Sequence, residues 1–136
     1  MFSDIEKLIP HRAPMRFIDA LVECTENAAA ATTCFADKSF AVAGGKVLES
    51  ALVECLAQTA AASRRHLAQA NGKANEPQFG MLVAVSNFKI HSRPLMEKTL
   101  RIEIFERKRL GQMRMISGRI FCDGEMVASG DLSLYA

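Results

Sequence analysis

The 136-residue sequence predicts one α+β domain in which an antiparallel sheet wraps around a single long helix. Three observations predict it. Residues 47–70 are rich in Ala and Leu and contain no Gly or Pro, and Gly44-Gly45 and Asn71-Gly72 bracket them. Apolar side chains run almost all the way round this segment over 47–62, the mark of a helix buried on most sides. Next, Arg101-Ile102-Glu103-Ile104-Phe105 alternates with period two, as a half-buried strand does. Finally, Asp123-Gly124 sits between two strand-like runs and is a strong hairpin turn. Curling a sheet around the helix is the simplest way to bury it, and the length fits one core spanning 1–136.

The elements follow in order. Ser3 is an N-cap residue with Glu6 three positions on, in capping-box spacing, and Pro10 ends the short helix this predicts. Residues 17–35 read as a hairpin that turns at Glu26-Asn27. Its second arm holds Ala28 to Ala31, where helix competes with strand. The long helix, predicted over 47–70, is followed by a polar loop at 72–78. Strands are predicted over 81–91, 99–107, 113–121 and 126–135. The sequence contains no internal repeat, low-complexity tract or linker.

Composition excludes several classes. Seventeen basic and fifteen acidic residues leave a net charge of +2, without the clustered basic face of a nucleic-acid binder. Arg64-Arg65 and Arg107-Lys108-Arg109 are too short to argue from and read as solvated surface. No apolar stretch approaches the roughly 20 residues of a membrane span. The start, Met1-Phe2-Ser3-Asp4-Ile5-Glu6, lacks the basic-then-apolar order of a secretion signal, so a cytoplasmic location is expected. Cys24, Cys34, Cys55 and Cys122 are scattered, which fits free thiols rather than a zinc site or disulfide framework. No metal or redox cofactor is expected.

Glu54 is the leading candidate for chemistry. It lies within an otherwise apolar helix, where an unpaired carboxylate is costly to bury, and a desolvated carboxyl is suited to proton transfer. At about 100° per residue, Glu54, Gln58 and Arg65 share one side of the helix with Ala51 and Ala61. Small neighbours beside a polar stripe leave room for a ligand, while Leu48, Leu52 and Leu56 fill another side. A structural hydrogen bond or a dimer contact accounts for Glu54 equally well. His11, in the loop Pro10-His11-Arg12, and His91, on a strand, are reserve candidates. His66 reads as a surface residue near the helix end. Cys55 projects toward the leucine side and reads as a buried structural thiol. Backbone amides near Gly44-Gly45, if packed at the helix start, could polarise a thioester carbonyl.

Several of these segments together resemble one family. Leu8-Ile9-Pro10-His11-Arg12-Ala13-Pro14-Met15, leading into Phe17-Ile18-Asp19, resembles the opening of 3-hydroxyacyl-[acyl carrier protein] dehydratases of the FabZ/FabA type. Val53-Glu54-Cys55-Leu56-Ala57-Gln58 resembles their central-helix motif. Phe88 with Arg93-Pro94-Leu95 and Leu100 resembles a later strand pair. The ending, with Asp123-Gly124-Glu125 and Ala128-Ser129-Gly130, is most similar to the variant dehydratases of aryl-polyene clusters.

The resemblance implies a hot-dog fold, a homodimer or a heterodimer with a second hot-dog subunit, and a substrate carried on the phosphopantetheine of acyl carrier protein or coenzyme A. In that family a histidine removes the α-proton while the helix Glu helps the hydroxyl leave. Glu54 matches the second role. Counting back from Glu54 puts Phe40, in Ser39-Phe40-Ala41-Val42-Ala43-Gly44-Gly45, where the histidine belongs. Three catalytic accounts follow. His11 or His91 replaces the base, a partner subunit supplies it, or Glu54 acts in a thioesterase. A non-catalytic acyl-carrier-binding subunit is the fourth reading.

Overall fold

The computed structural model describes residues 4–72 and 81–135. Its element order is a 3-10 turn (Ile5–Lys7), β1 (Ala20–Cys24), β2 (Ala28–Cys34), β3 (Val42–Ala43), β4 (Lys46–Val47), α1 (Glu49–Ala70), β5 (Met81–Ile90), β6 (Thr99–Leu110), β7 (Met113–Cys122) and β8 (Glu125–Tyr135). Six strands form one sheet in the order β1-β2-β6-β7-β8-β5, and every neighbouring pair is antiparallel. This sheet curls around α1 in a hot-dog fold, as the sequence predicts.

The core follows from the alternation seen in the strands. Leu100, Ile102 and Ile104 on β6 and Ile116 and Ile120 on β7 point to the helix, which answers with Leu52, Cys55 and Leu56. A Cβ on Gly118 would stand 2.5 Å from Leu56 Cδ2, so the bare backbone of β7 is what lets the helix lie this close. From 51 to 69 no helix residue is exposed, as the continuous apolar pattern requires.

Some boundaries differ from expectation. Ser3 lies outside the described residues, and the first turn is 3-10, with no side-chain cap hydrogen bond from Asp4. Glu6 lies beside Arg12 (3.6 Å) and Arg16 (3.7 Å). The Ala28–Ala31 run is strand, because pairing on both sides overrides its helical propensity: Ala31 faces Ile102 on β6 and Leu21 on β1. Ala29 and Ala31 are buried in the core, where small side chains keep the sheet close to the helix.

The helix begins at Glu49 rather than 47, since Val47 pairs with Val42 and donates its N–H to Pro94 O (2.9 Å). Gly44-Gly45 therefore do not open the helix. Their φ values of +60° and +75° close the two-residue turn between β3 and β4, a geometry that favours glycine at both positions. The Arg93 guanidinium ties this hairpin to the segment after β5 through the carbonyls of Val47, Ala43 and Lys46. No helix among the described residues is long and apolar enough to cross a membrane.

Candidate functional site

The helix has one side less buried than the rest, made by Val53, Glu54, Ala57, Ala61 and Arg64. Glu54 stands there with its side chain about a third exposed (34%), so it is not the fully buried carboxylate that its apolar neighbours in sequence suggest. One turn on, Gln58 is fully buried and all its polar atoms are engaged. Its Oε1 accepts the N–H groups of Phe17 (2.9 Å) and Ile18 (3.4 Å). Its Nε2 donates to Met15 O (2.9 Å) and to Glu54 Oε1 (3.2 Å). Gln58 thus staples the 15–18 segment to the helix and holds the carboxylate at the same time.

That staple sets the loop before it. The Thr33 hydroxyl donates to Phe17 O, and Met15 N–H donates to Arg12 O (2.7 Å). Arg12 turns back onto the carbonyls of Ile9 and His11 (both 2.9 Å). The result is that His11 Nε2 lies 3.3 Å from Glu54 Oε1. His11 Nδ1 is buried without a hydrogen-bond partner. Both the His11 and the Gln58 contacts fall on Oε1, which leaves Glu54 Oε2 as the oxygen a ligand can meet.

These residues open onto a cavity of about 180 Å³ lined by His11, Glu54 and Gln58 at one end and Arg64 and Arg114 among the rest. Ala57, Ala60, Ala61, Leu82 and Leu134 make its apolar wall. Of the residues singled out from sequence, Glu54, Gln58 and His11 come together here. Arg64, not its neighbour Arg65, continues the polar side of the helix into the cavity. His91 lies exposed just beyond β5 and donates its N–H to Val127 O (2.8 Å). Phe40 is half exposed, with its ring 5.8 Å from that of Phe17. His91, Phe40, Gly44 and Gly45 do not line this cavity.

Arg114 is the residue sequence reasoning missed. It is buried (5% exposed), on the face of β7 that Ile116, Gly118 and Ile120 also present inward. An arginine in phase with an inward apolar face was the signal. Its Nε donates to Glu106 Oε1 (3.2 Å), which also accepts Arg109 Nε (3.0 Å). Burial works to raise the Glu106 carboxyl, but the hydrogen bonds and charges of Arg109 and Arg114 outweigh it and hold the group below its ordinary range. Arg64 is pushed the other way for a cation: desolvation lowers its pKa, and the charges of Arg114 and Arg109 lower it further. Cys55 is fully buried, and burial, with the charges of Glu54 and Asp19 adding to it, drives its thiol far up, so it is not a nucleophile. Among the described residues no group of three or more His, Cys, Asp or Glu side chains could hold a metal ion.

Comparison with known proteins agrees with this architecture. The family model described as ApeP-like, ApeP dehydratase, matches residues 3–136. Among solved structures, the dehydratase heterocomplex ApeI:P from Xenorhabdus doucetiae superposes with a TM-score of 0.87 at 18% identity, covering 96% of this chain and 89% of that one. The PaaI protein of the phenylacetic acid degradation operon of E. coli gives 0.68 at 13% identity, covering 85% and 81%. A hypothetical thioesterase from Streptococcus pneumoniae, solved with coenzyme A, gives 0.67 at 11% identity, covering 85% and 82%. At these identities the likeness shows the fold. No curated protein matches the sequence.

Proposed function

This chain belongs to the ApeP-like dehydratases, and from that premise we propose that it supplies the carboxylate half of a 3-hydroxyacyl-thioester dehydratase site completed by a second hot-dog subunit. The observation that carries the reading is Glu54: it is held through Oε1 by Gln58 and His11, its Oε2 is left for substrate, and the residue at the expected base position is a phenylalanine outside the cavity.

In this reading Glu54 enters protonated on Oε2. A base on the partner takes the proton from the substrate's α-carbon. The Cα–H electron pair becomes the new double bond, the bond from the β-carbon to oxygen breaks, and Glu54 gives its proton to the departing hydroxyl. The products are an enoyl thioester and water. Proton return from the base to Glu54 closes the cycle. Gln58 and His11 Nε2–H, both on Oε1, keep Oε2 as the acidic oxygen; they are positioning residues.

Three features support a site shared between subunits. At about 180 Å³ the cavity is smaller than the roughly 300 Å³ at which ligand pockets usually begin, so one chain encloses only part of an acyl thioester. Strand β5 is a ten-residue sheet edge with Met81, Leu82, Val83 and Val85 exposed, an arrangement that invites pairing with another strand. The structure with the 0.87 match is titled a heterocomplex. The carrier of the thioester is acyl carrier protein or coenzyme A.

A second reading rests on one distance, the 3.3 Å between His11 and Glu54, which makes His11 a base within the same chain. Mass spectrometry of a 3-hydroxyacyl thioester on acyl carrier protein separates the readings. Loss of one water with the paired complex, but not with this chain alone, is the expected result. Water loss with the isolated chain moves the base to His11. Release of free carrier protein makes the protein a thioesterase and overturns the proposal.

A further inference from the structure

The cavity that begins at Glu54 ends in positive charge that no proton transfer uses. Arg64 lies ten residues beyond Glu54 on α1, a rise of about 15 Å along the helix axis. Arg114 enters from β7, and both line the cavity. In the register of the sheet Arg114 stands directly opposite Arg109 on β6, and like charges so placed repel. Glu106 meets both, its Oε1 accepting Arg109 Nε (3.0 Å) and Arg114 Nε (3.2 Å). Arg64 feels the same group: burial, then the charges of Arg114 and Arg109, work against its cation, and Glu106 works for it. Its Nε is buried without a hydrogen-bond partner, so a donor stands there short of an acceptor. Three guanidinium groups gathered around one carboxylate are unfavourable unless a further anion joins them.

Access and length decide which anion fits. Arg109 has half of its side chain exposed (50%) and Arg64 is partly exposed, so this end of the cavity reaches solvent and a hydrated anion can meet it there. In a pantetheine arm about thirteen bonds separate phosphorus from sulfur, roughly 15 Å in an extended chain. That span equals the helical rise from Arg64 to Glu54. A phosphate held by the arginines therefore brings a thioester to the carboxylate. Between the two ends Ala57, Ala61, Leu82 and Leu134 form an apolar wall. The wall suits the methyl and methylene groups of the arm, while its amides turn to the side that this chain leaves open.

Resting on the reading of this cavity as a thioester site, we propose that Arg64, Arg109 and Arg114 form the subsite for the phosphate at the head of the pantetheine arm, so that the arm enters at this end of α1. Guanidinium forks match phosphate oxygens in charge and in planar geometry. The same phosphate occurs in a carrier protein, as a diester, and in coenzyme A, as part of a pyrophosphate.

The test is calorimetric binding of pantetheine and of phosphopantetheine, which differ only in the phosphate, to the full chain in the assembly it forms. The expected result is binding of phosphopantetheine about tenfold tighter. Arg64→Gln should erase that preference while leaving pantetheine unchanged, and Arg64→Lys should restore part of it. Arg109→Gln, at a half-exposed position, should reduce it as well. Equal binding of both probes by the native protein overturns the inference, as does an undiminished preference in Arg64→Gln. Equal loss of both probes in that variant would make Arg64 a wall of the cavity, and overturns it too. Phosphopantetheinylated carrier protein and coenzyme A are then titrated in parallel. Weakening of either by Arg64→Gln supports the subsite and identifies the source of the phosphate, and weakening of neither refutes it. Binding requires no turnover, so failure of the Glu54 assignment shows in water loss and failure of this subsite shows in affinity.

Discussion

The two faces of α1 both carry small residues and do different work. On one, Leu52, Cys55 and Leu56 are fully buried against the sheet, and even a single β-carbon on Gly118 has no room. On the other, Glu54, Ala57, Ala61 and Arg64 are left half covered and border a cavity. The first face fixes where the helix lies; the second uses that fixed position to aim a carboxylate. Small residues mean close packing on one side and room for a ligand on the other, and only the neighbouring strands decide which. Gln58 belongs to both, since it is buried like the core but bonded to Glu54.

Substitutions can break this contrast. The largest expected effect is from Glu54→Gln, which should lower turnover by about 10²–10⁴-fold, the usual contribution of a general acid or base, with the melting temperature unchanged. A large loss of stability would instead place Glu54 on the structural face. On the opposite face, Leu56→Ala should cost about 2–5 kcal/mol in denaturant unfolding, because the sheet cannot collapse into the space it leaves. Gln58→Ala sharpens the boundary. It strips partners from Met15, Phe17 and Ile18 and should cost about 1–3 kcal/mol while also slowing turnover, whereas a change in only one of the two would assign Gln58 to a single face.

The smallest effect concerns pH. Glu106 is held below its ordinary value of 4.5, so the stability it contributes is present above 4.5 and is lost as pH falls through the lower, folded-state value. Urea unfolding of Glu106→Gln against the native chain should therefore differ near neutral pH and converge in acid. A gap that persists in acid would remove the Arg109–Glu106–Arg114 cluster as its source.

Much of the fold was legible because it rests on periodicity. The long helix, the 101–105 alternation and the Asp123-Gly124 turn each appear within one unbroken run of the sequence, and Asp123 and Gly124 do adopt the positive φ values (53° and 79°) such a turn needs. The alanine run of β2 was ambiguous because its conformation is decided by pairing with β1 and β6, which no local pattern encodes. The Gly44-Gly45 pair was read as a helix entry because a glycine turn and a helix start look alike without knowledge of the Val42–Val47 pairing.

Within the site, Glu54 and Gln58 were visible as a polar stripe on one helix. The approach of His11 depends on the staple from Gln58 to Met15 and Phe17, a long-range contact with no sequence signature. Arg114 could have been read from its inward phase on β7, since it alternates with Ile116 and Ile120. Its cluster with Arg64 needed the fold.

The measurement that tests the central claim most directly is mass spectrometry of 3-hydroxyacyl carrier protein incubated with the complex purified from native cells through a tag on this chain, run in parallel with the Glu54→Gln form. Loss of one water in the native complex and its disappearance in Glu54→Gln is the predicted result. Water loss that survives Glu54→Gln, or release of free carrier protein, would contradict the account.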